Sequence, residues 1–246
     1  MAEIEVVNND VSLTEPTLIE GLPGVGLVGK ITADHLISTF EMDHYANVHC
    51  EGIPKAVTYH EDNNRLVTPV RLYVDSERDL VALQSDIPVS PQAAITFADC
   101  VSGWFAEESI LPVYLSGIPR EKGSEPARVH GVGVNRGIDR LESLDIPAPG
   151  ERGLVSGPTG ALLAHALEHD QPAIGLVVES DPRFPDPEAA SRLLKQGIEP
   201  LADISVPTDH LVDRAEEIRE AREQLAQQMQ QADEESTRVQ PLRMYQ

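Results

Sequence analysis

The last three residues, Met244-Tyr245-Gln246, bring together a thioether, a phenol and a free carboxylate. A terminal carboxylate can pair with a lysine in a pocket of another protein. A tyrosine buries its ring while its hydroxyl finds a hydrogen bond, and methionine adapts its shape to irregular apolar surface. The polar stretch Ser236–Arg243 tethers this group at some reach from the rest of the chain. The combination suits a hook, so Met244, Tyr245 and Gln246 are the candidate protein-binding residues.

A second constellation is Gly24-Val25-Gly26-Leu27-Val28-Gly29, placed between a strand signal and a helix signal. It fits the GxGxxG loop that lets a dinucleotide pyrophosphate approach backbone, with Glu51 near the position of a ribose-binding acid. Read as Gly24-xxxx-Gly29-Lys30 it is also a near phosphate loop, with Asp86 imitating the metal-side acid. The residue after Lys30 is Ile31, so the hydroxyl that would hold magnesium is missing. Gly21 and Pro23 also interrupt the strand where it should feed the first glycine. The preferred reading is structural: Gly21, Pro23, Gly24, Gly26 and Gly29 let the chain turn tightly and the helix start pack closely on the sheet. A nucleotide- or NAD-binding enzyme using the Gly24–Gly29 loop is the alternative.

His165-Ala166-Leu167-Glu168-His169 matches the spacing of an inverted zinc-peptidase motif. It lies at the end of a helix pattern beside Pro172, with no third ligand in a supporting context, and a histidine there complements the helix dipole. No GxSxG elbow occurs. No metal site, no cofactor and no catalytic set are expected, and the chain is read as a non-enzyme.

These residues need elements to position them. Strand signals cover Thr17–Glu20, Tyr45–Cys50, Ala56–His60, Leu66–Val74 and Leu80–Gln84, with a helix pattern from Leu27 to Phe40 after the first. The run of strands with hardly a helix between them predicts an antiparallel part of the sheet. From Ser90 the chain alternates. Helix patterns cover Ser90–Glu108, Gly137–Leu144, Pro158–His169 and Asp186–Gln196. Strand patterns cover Ile110–Leu115, Val129–Val134, Leu154–Ser156 and Ala173–Val178. The pattern predicts an α/β fold, an open, mostly parallel sheet with flanking helices. Residues 1–206 are assigned to this core. Residues 207–236 form a polar, amphipathic C-terminal helix with a coiled-coil-like stripe through Leu211, Ala215, Ile218, Leu225, Met229 and Ala232. Residues 237–246 are a flexible tail.

Composition limits the partners. The 246 residues hold 41 acidic and 19 basic side chains, a net charge of −22, and only four lysines. Such a surface repels nucleic acid and anionic membranes, and no apolar run is long enough to span a bilayer. The acid excess reads as adaptation to a cytoplasm of molar salt, where the Debye length falls to about 3 Å, hence a halophilic, archaeal protein. Met1–Glu5 lacks a secretory start, so a cytoplasmic location is expected. Cys50 and Cys100 are far apart in the sequence and are expected as reduced thiols.

The segment Gly21-Leu22-Pro23-Gly24-Val25-Gly26-Leu27-Val28-Gly29 resembles the opening signature of the proteasome assembly chaperone family in its archaeal branch. The likeness continues at Gly157-Pro158-Thr159-Gly160-Ala161-Leu162-Leu163 and at Phe184-Pro185-Asp186-Pro187-Glu188-Ala189-Ala190. The resemblance implies a nucleoside-phosphorylase-like fold, a homo-oligomer, and binding to the α-subunits of the proteasome core particle. It also implies that the hydrophobic–Tyr–any ending, here Met244-Tyr245-Gln246, enters pockets of the α-ring. Assembly chaperone, gate-opening activator and substrate adaptor all remain open readings.

Overall fold

The computed structural model describes residues 3–59, 64–119, 127–183 and 185–213. Its centre is a single eight-stranded sheet in the order β1-β3-β4-β5-β2-β6-β8-β7. Four strands run parallel in the middle: β2 (Thr17–Gly21), β5 (Leu80–Ser85), β6 (Leu111–Pro119) and β8 (Ala173–Ser180). They are buried on both faces and read as nearly continuous apolar runs, as parallel strands under helices must. Antiparallel strands extend the sheet at both sides. β1 (Glu3–Val6), β3 (Asp43–His49) and β4 (Val70–Asp75) continue it beyond β5, and β7 (Val129–Val134) closes the other edge.

Helices cover the two faces. On one, α2 (Ala94–Glu107) and α4 (Gly157–Glu168) pack against each other, and their core runs through Leu18, Leu72, Leu83, Phe97, Val101 and Leu162. On the other lie α1 (Val28–Thr39), α3 (Arg136–Ser143) and α5 (Pro187–Leu193). Their core gathers Ile19, Val28, Leu36, Leu115, Ile174 and Leu193. Pro187 stands at the start of α5, where its missing N–H costs nothing, and Asp186 caps the first turn by accepting from Ala189 N at 3.1 Å. A π-helical stretch, Leu194–Ile198, joins α5 to a short α6 (Glu199–Ala202). The chain turns helical again at residues 209–213. The remainder of the expected C-terminal helix and tail lies outside the described residues.

The sequence expectation of an open sheet with an antiparallel part is met, and four local readings are corrected. Strand β1 was not among the expected elements, although Glu3-Ile4-Glu5-Val6 alternates polar and apolar residues as a strand does. Of the expected strand Ala56–His60, the described residues 56–59 form none: Thr58 makes one isolated bridge to Val67, while Val57 and Tyr59 face solvent. Leu154–Ser156 is irregular, with no strand pairing among the described residues, and Leu154 is exposed. Cys50 and Cys100 are joined by a disulfide, with Cα atoms 6.1 Å apart. The fold itself brings them together, since the end of β3 lies over the middle of α2, a closeness that their 50-residue separation hides.

The parallel strands all point their carboxyl ends to one edge of the sheet. The antiparallel registers bring the β3–β4 connection to that same edge, since Val70 pairs with Ser85 at the end of β5. The glycine-rich loop, the start of α2 and the start of α4 lie there too.

Candidate functional site

β2 is the point where the sheet changes direction of growth, with β5 on one side and β6 on the other. Ligands of open α/β sheets bind outside the carboxyl ends at such a point. The glycine-rich loop sits there. After Gly21 the chain makes a 3-10 turn at Val25–Leu27, closed by Leu27 N–H donating to Gly24 O at 3.0 Å, and then enters α1.

Three of the glycines stand in close approach to their neighbours. A Cβ on Gly21 would stand 2.3 Å from the Cβ of Ala33 in α1, and one on Gly29 would meet the carbonyl oxygen of Leu22 at 3.1 Å. Gly26 has φ +62, and a Cβ there would lie 1.9 Å from Ser180 Oγ. Gly24 touches nothing within 4 Å and is extended. Pro23 is half-buried between them. The loop is held from outside as well, for Asp186 N–H donates to Gly26 O at 2.8 Å. The Asp186 carboxylate accepts from Asp181 N at 3.1 Å and from Ser180 Oγ at 3.3 Å. The end of β8 and the residue before α5 therefore pack directly against the loop at Gly26.

The dinucleotide reading also loses its acid. Glu51 follows β3, which is separated from β2 by β4 and β5, so its exposed carboxylate is not on the neighbouring strand. The phosphate-loop reading fares differently. Lys30 Nζ does lie 3.3 Å from Asp86, but it also lies 3.0 Å from Asp34, and Asp86 is itself paired with the buried Arg71 at 2.8 Å. Arg71 donates further to Gln84 Oε1 at 2.7 Å, to Tyr73 and to Thr68 O. Burial opposes ionisation of Asp86, yet hydrogen bonds from Gln84 and Arg71 and the charges of Arg71 and Lys30 bring its pKa down to about 2. This group clamps α1 to β4 and β5, and the lysine is already balanced by two carboxylates.

A second buried acid lies deeper. Glu20, at the carboxyl end of β2, accepts from Leu115 N at 2.9 Å and from Thr159 Oγ1 at 3.1 Å. Burial nevertheless pushes its pKa up to about 7. Through this acid the glycine-loop strand is tied to the first turn of α4. Hence Gly21–Gly29, Gly157–Leu163 and the segment around Asp186, far apart in sequence, meet at one edge of the sheet. Sequence reasoning missed both acid networks. Their signal was a charge inside a buried strand pattern, Glu20 after Leu18-Ile19 and Arg71 between Val70 and Leu72.

His165 and His169 do not converge on a metal. Their rings stack with centroids 4.1 Å apart, His169 Nδ1 lies 2.9 Å from His165 O, and His165 Nε2 lies 3.6 Å from Asp99. Burial and the neighbouring His169 lower the His165 pKa. Among the described residues no three potential ligands form a metal-sized group. A cavity of about 200 Å³ opens at the other end of the molecule, between Phe105, Ile110, Pro112, Tyr114, Arg136 and Pro172, and shares nothing with the glycine loop. No helix among the described residues is long and apolar enough to cross a membrane. Met244, Tyr245 and Gln246 lie outside the described residues.

Comparison with known proteins gives a consistent set of relatives. Residues 18–226 match the model of the PAC2 family. An uncharacterized protein of Methanocaldococcus jannaschii is 27% identical over 224 residues, covering 89% of this chain and 88% of the relative. Among solved structures, the chain is similar to Pyrococcus furiosus PbaA, described as an archaeal homolog of proteasome-assembly chaperone. The TM-score is 0.77 and the identity 25%, over 96% of both chains. Pyrococcus furiosus PbaB, described as an archaeal proteasome activator, shares the fold with a TM-score of 0.74 at 22% identity, over 92% of this chain and 98% of that one.

Proposed function

This chain belongs to the PAC2 family, and from that premise we propose that it is a cytoplasmic, homo-oligomeric proteasome-binding protein, an assembly chaperone or an activator, that docks on the core-particle α-ring through its C-terminal tripeptide. The observation that carries the reading is the likeness to PbaA over nearly the whole of both chains. The geometry of the glycine loop favours this reading over nucleotide chemistry, because Ser180 and Asp186 pack against Gly26 and Lys30 is held by Asp34 and Asp86.

The tail supplies the chemistry of docking. Gln246 offers its carboxylate to a basic pocket, Tyr245 its ring and hydroxyl, and Met244 an adaptable apolar contact. One such tripeptide binds weakly. Several, carried on one oligomer, bind together with an avidity that exceeds any single tail's affinity by orders of magnitude.

The test is co-purification of the proteasome core particle with the full chain in molar KCl, beside a chain ending at Arg243 and the Tyr245→Ala variant. Binding by the full chain that both changes abolish is the expected result. Binding that survives both would move the contact to the folded body and sink tail docking. An absence of binding by all three would overturn the proteasome reading itself.

A further inference from the structure

The cavity of about 200 Å³ lies at the amino edge of the sheet, where α2 and α4 end and β6 and β8 begin. Its walls are apolar. Phe105, Ile110, Pro112, Tyr114 and Ala166 are buried, and Pro172 adds a further rigid ring. A dry cavity of about 150 Å³ already admits benzene. This one has room for a six-membered ring with a short arm, and Phe105 and Tyr114 offer that ring aromatic contacts.

The rest of the lining is polar, and its only charge is positive. Arg136, Gln171 and Ser109 line the cavity and no acid does, in a chain with 41 acidic side chains against 19 Lys and Arg. Among the described residues, none of these three side chains makes a hydrogen bond or an ion pair. Arg136 is the first residue of α3, so its charge and the positive end of that helix lie together. Asn135, in the capping position, gives α3 no side-chain cap. Its Nδ2 donates instead to Asp170 O at 2.6 Å and to Asp170 Oδ1 at 3.0 Å. The Asp170 carboxylate is thereby engaged, and the guanidinium of Arg136 keeps its donors.

We propose that this cavity binds a small aromatic monocarboxylate, with its ring against Phe105 and Tyr114 and its carboxylate on Arg136. A guanidinium meets a carboxylate through two parallel N–H···O bonds, which fixes the acid at the mouth and points its apolar body inward. One cation balances one negative charge. The field of a chain of net charge −22 opposes a dianion such as a phosphate monoester. Gln171 and Ser109 supply further donors at the same end. The site shares no residue with the glycine-rich loop or the C-terminal tripeptide, so its test is independent of proteasome docking.

The experiment is fluorine NMR on the full chain in molar KCl, titrated with para-fluorophenylacetate and, separately, with the uncharged para-fluorophenylacetamide. The wild type should bind the acid saturably and about tenfold more tightly than the amide. Arg136→Gln should bring the acid down to the affinity of the amide and leave the amide unchanged. Ala106→Trp, at an exposed position of the lining, should block both probes with circular dichroism unchanged. An acid that fails to saturate, or that binds no better than the amide, would overturn the proposal. So would an acid affinity that Arg136→Gln leaves intact while the melting temperature falls, since the arginine would then only balance the carbonyl ends of α2 and α4. Binding that survives Ala106→Trp would place the ring outside the cavity and overturn it as well.

Discussion

Glu20 shows how a single residue can set the pH response of this fold. Its pKa rises from 4.5 to about 7, so the folded state holds the proton more tightly than the unfolded chain. The associated stability is complete below pH 4.5 and is lost as pH rises through 7. The full effect of such a shift is on the order of 3 kcal/mol. Glu20→Gln keeps a shape like the protonated acid, with an oxygen for Leu115 N and an amide to donate to Thr159. Urea unfolding in molar KCl should therefore show wild-type stability falling between pH 5 and pH 8 and a flatter profile for the variant. Equal slopes would mean that Glu20 does not carry this dependence. Asp86 acts in the opposite sense, for its stabilisation is present above pH 3.8 and is lost only as pH falls through about 2.

At the scale of elements, the sequence was legible where periodicity and burial agree. Leu18-Ile19 in β2 and Ile174–Val178 in β8 are apolar runs with no other use, and Pro158 and Pro187 mark helix starts that only the first turn tolerates. It was misleading where β-branched and aromatic residues lie exposed outside any strand. Val57, Tyr59 and Leu66 have strand-forming character without a strand. The contact of the glycine-rich loop with Ser180 joins residues more than 150 positions apart and has no local signal. The bond between Cys50 and Cys100 was invisible for the same reason. It closes a loop of 50 residues, for which chain entropy predicts a stabilisation of up to about 4 kcal/mol. Reductant should therefore lower the wild-type melting temperature and leave a Cys50→Ser/Cys100→Ser variant unchanged. A wild type indifferent to reductant would show that the bond adds nothing to the fold.

For the molecule as a whole, the strand order decides what the chain can complete and when. β2 emerges early, but its neighbours are Leu80–Gln84 on one side and Leu111–Val113 on the other. Until the ribosome has made those residues, Leu18 and Ile19 have no sheet to enter. The β3–β4–β5 meander needs only local pairings and is free to form first. Pulse-labelled hydrogen exchange during refolding should protect the amides of β4 and β5 before those of β2, and simultaneous protection would refute that order. During synthesis the glycine-rich loop thus follows a strand that waits unpaired while about 60 further residues are added, and gains its second neighbour only after about 90. The growing chain would thus pass through an interval in which one of its central strands is open to the wrong partner.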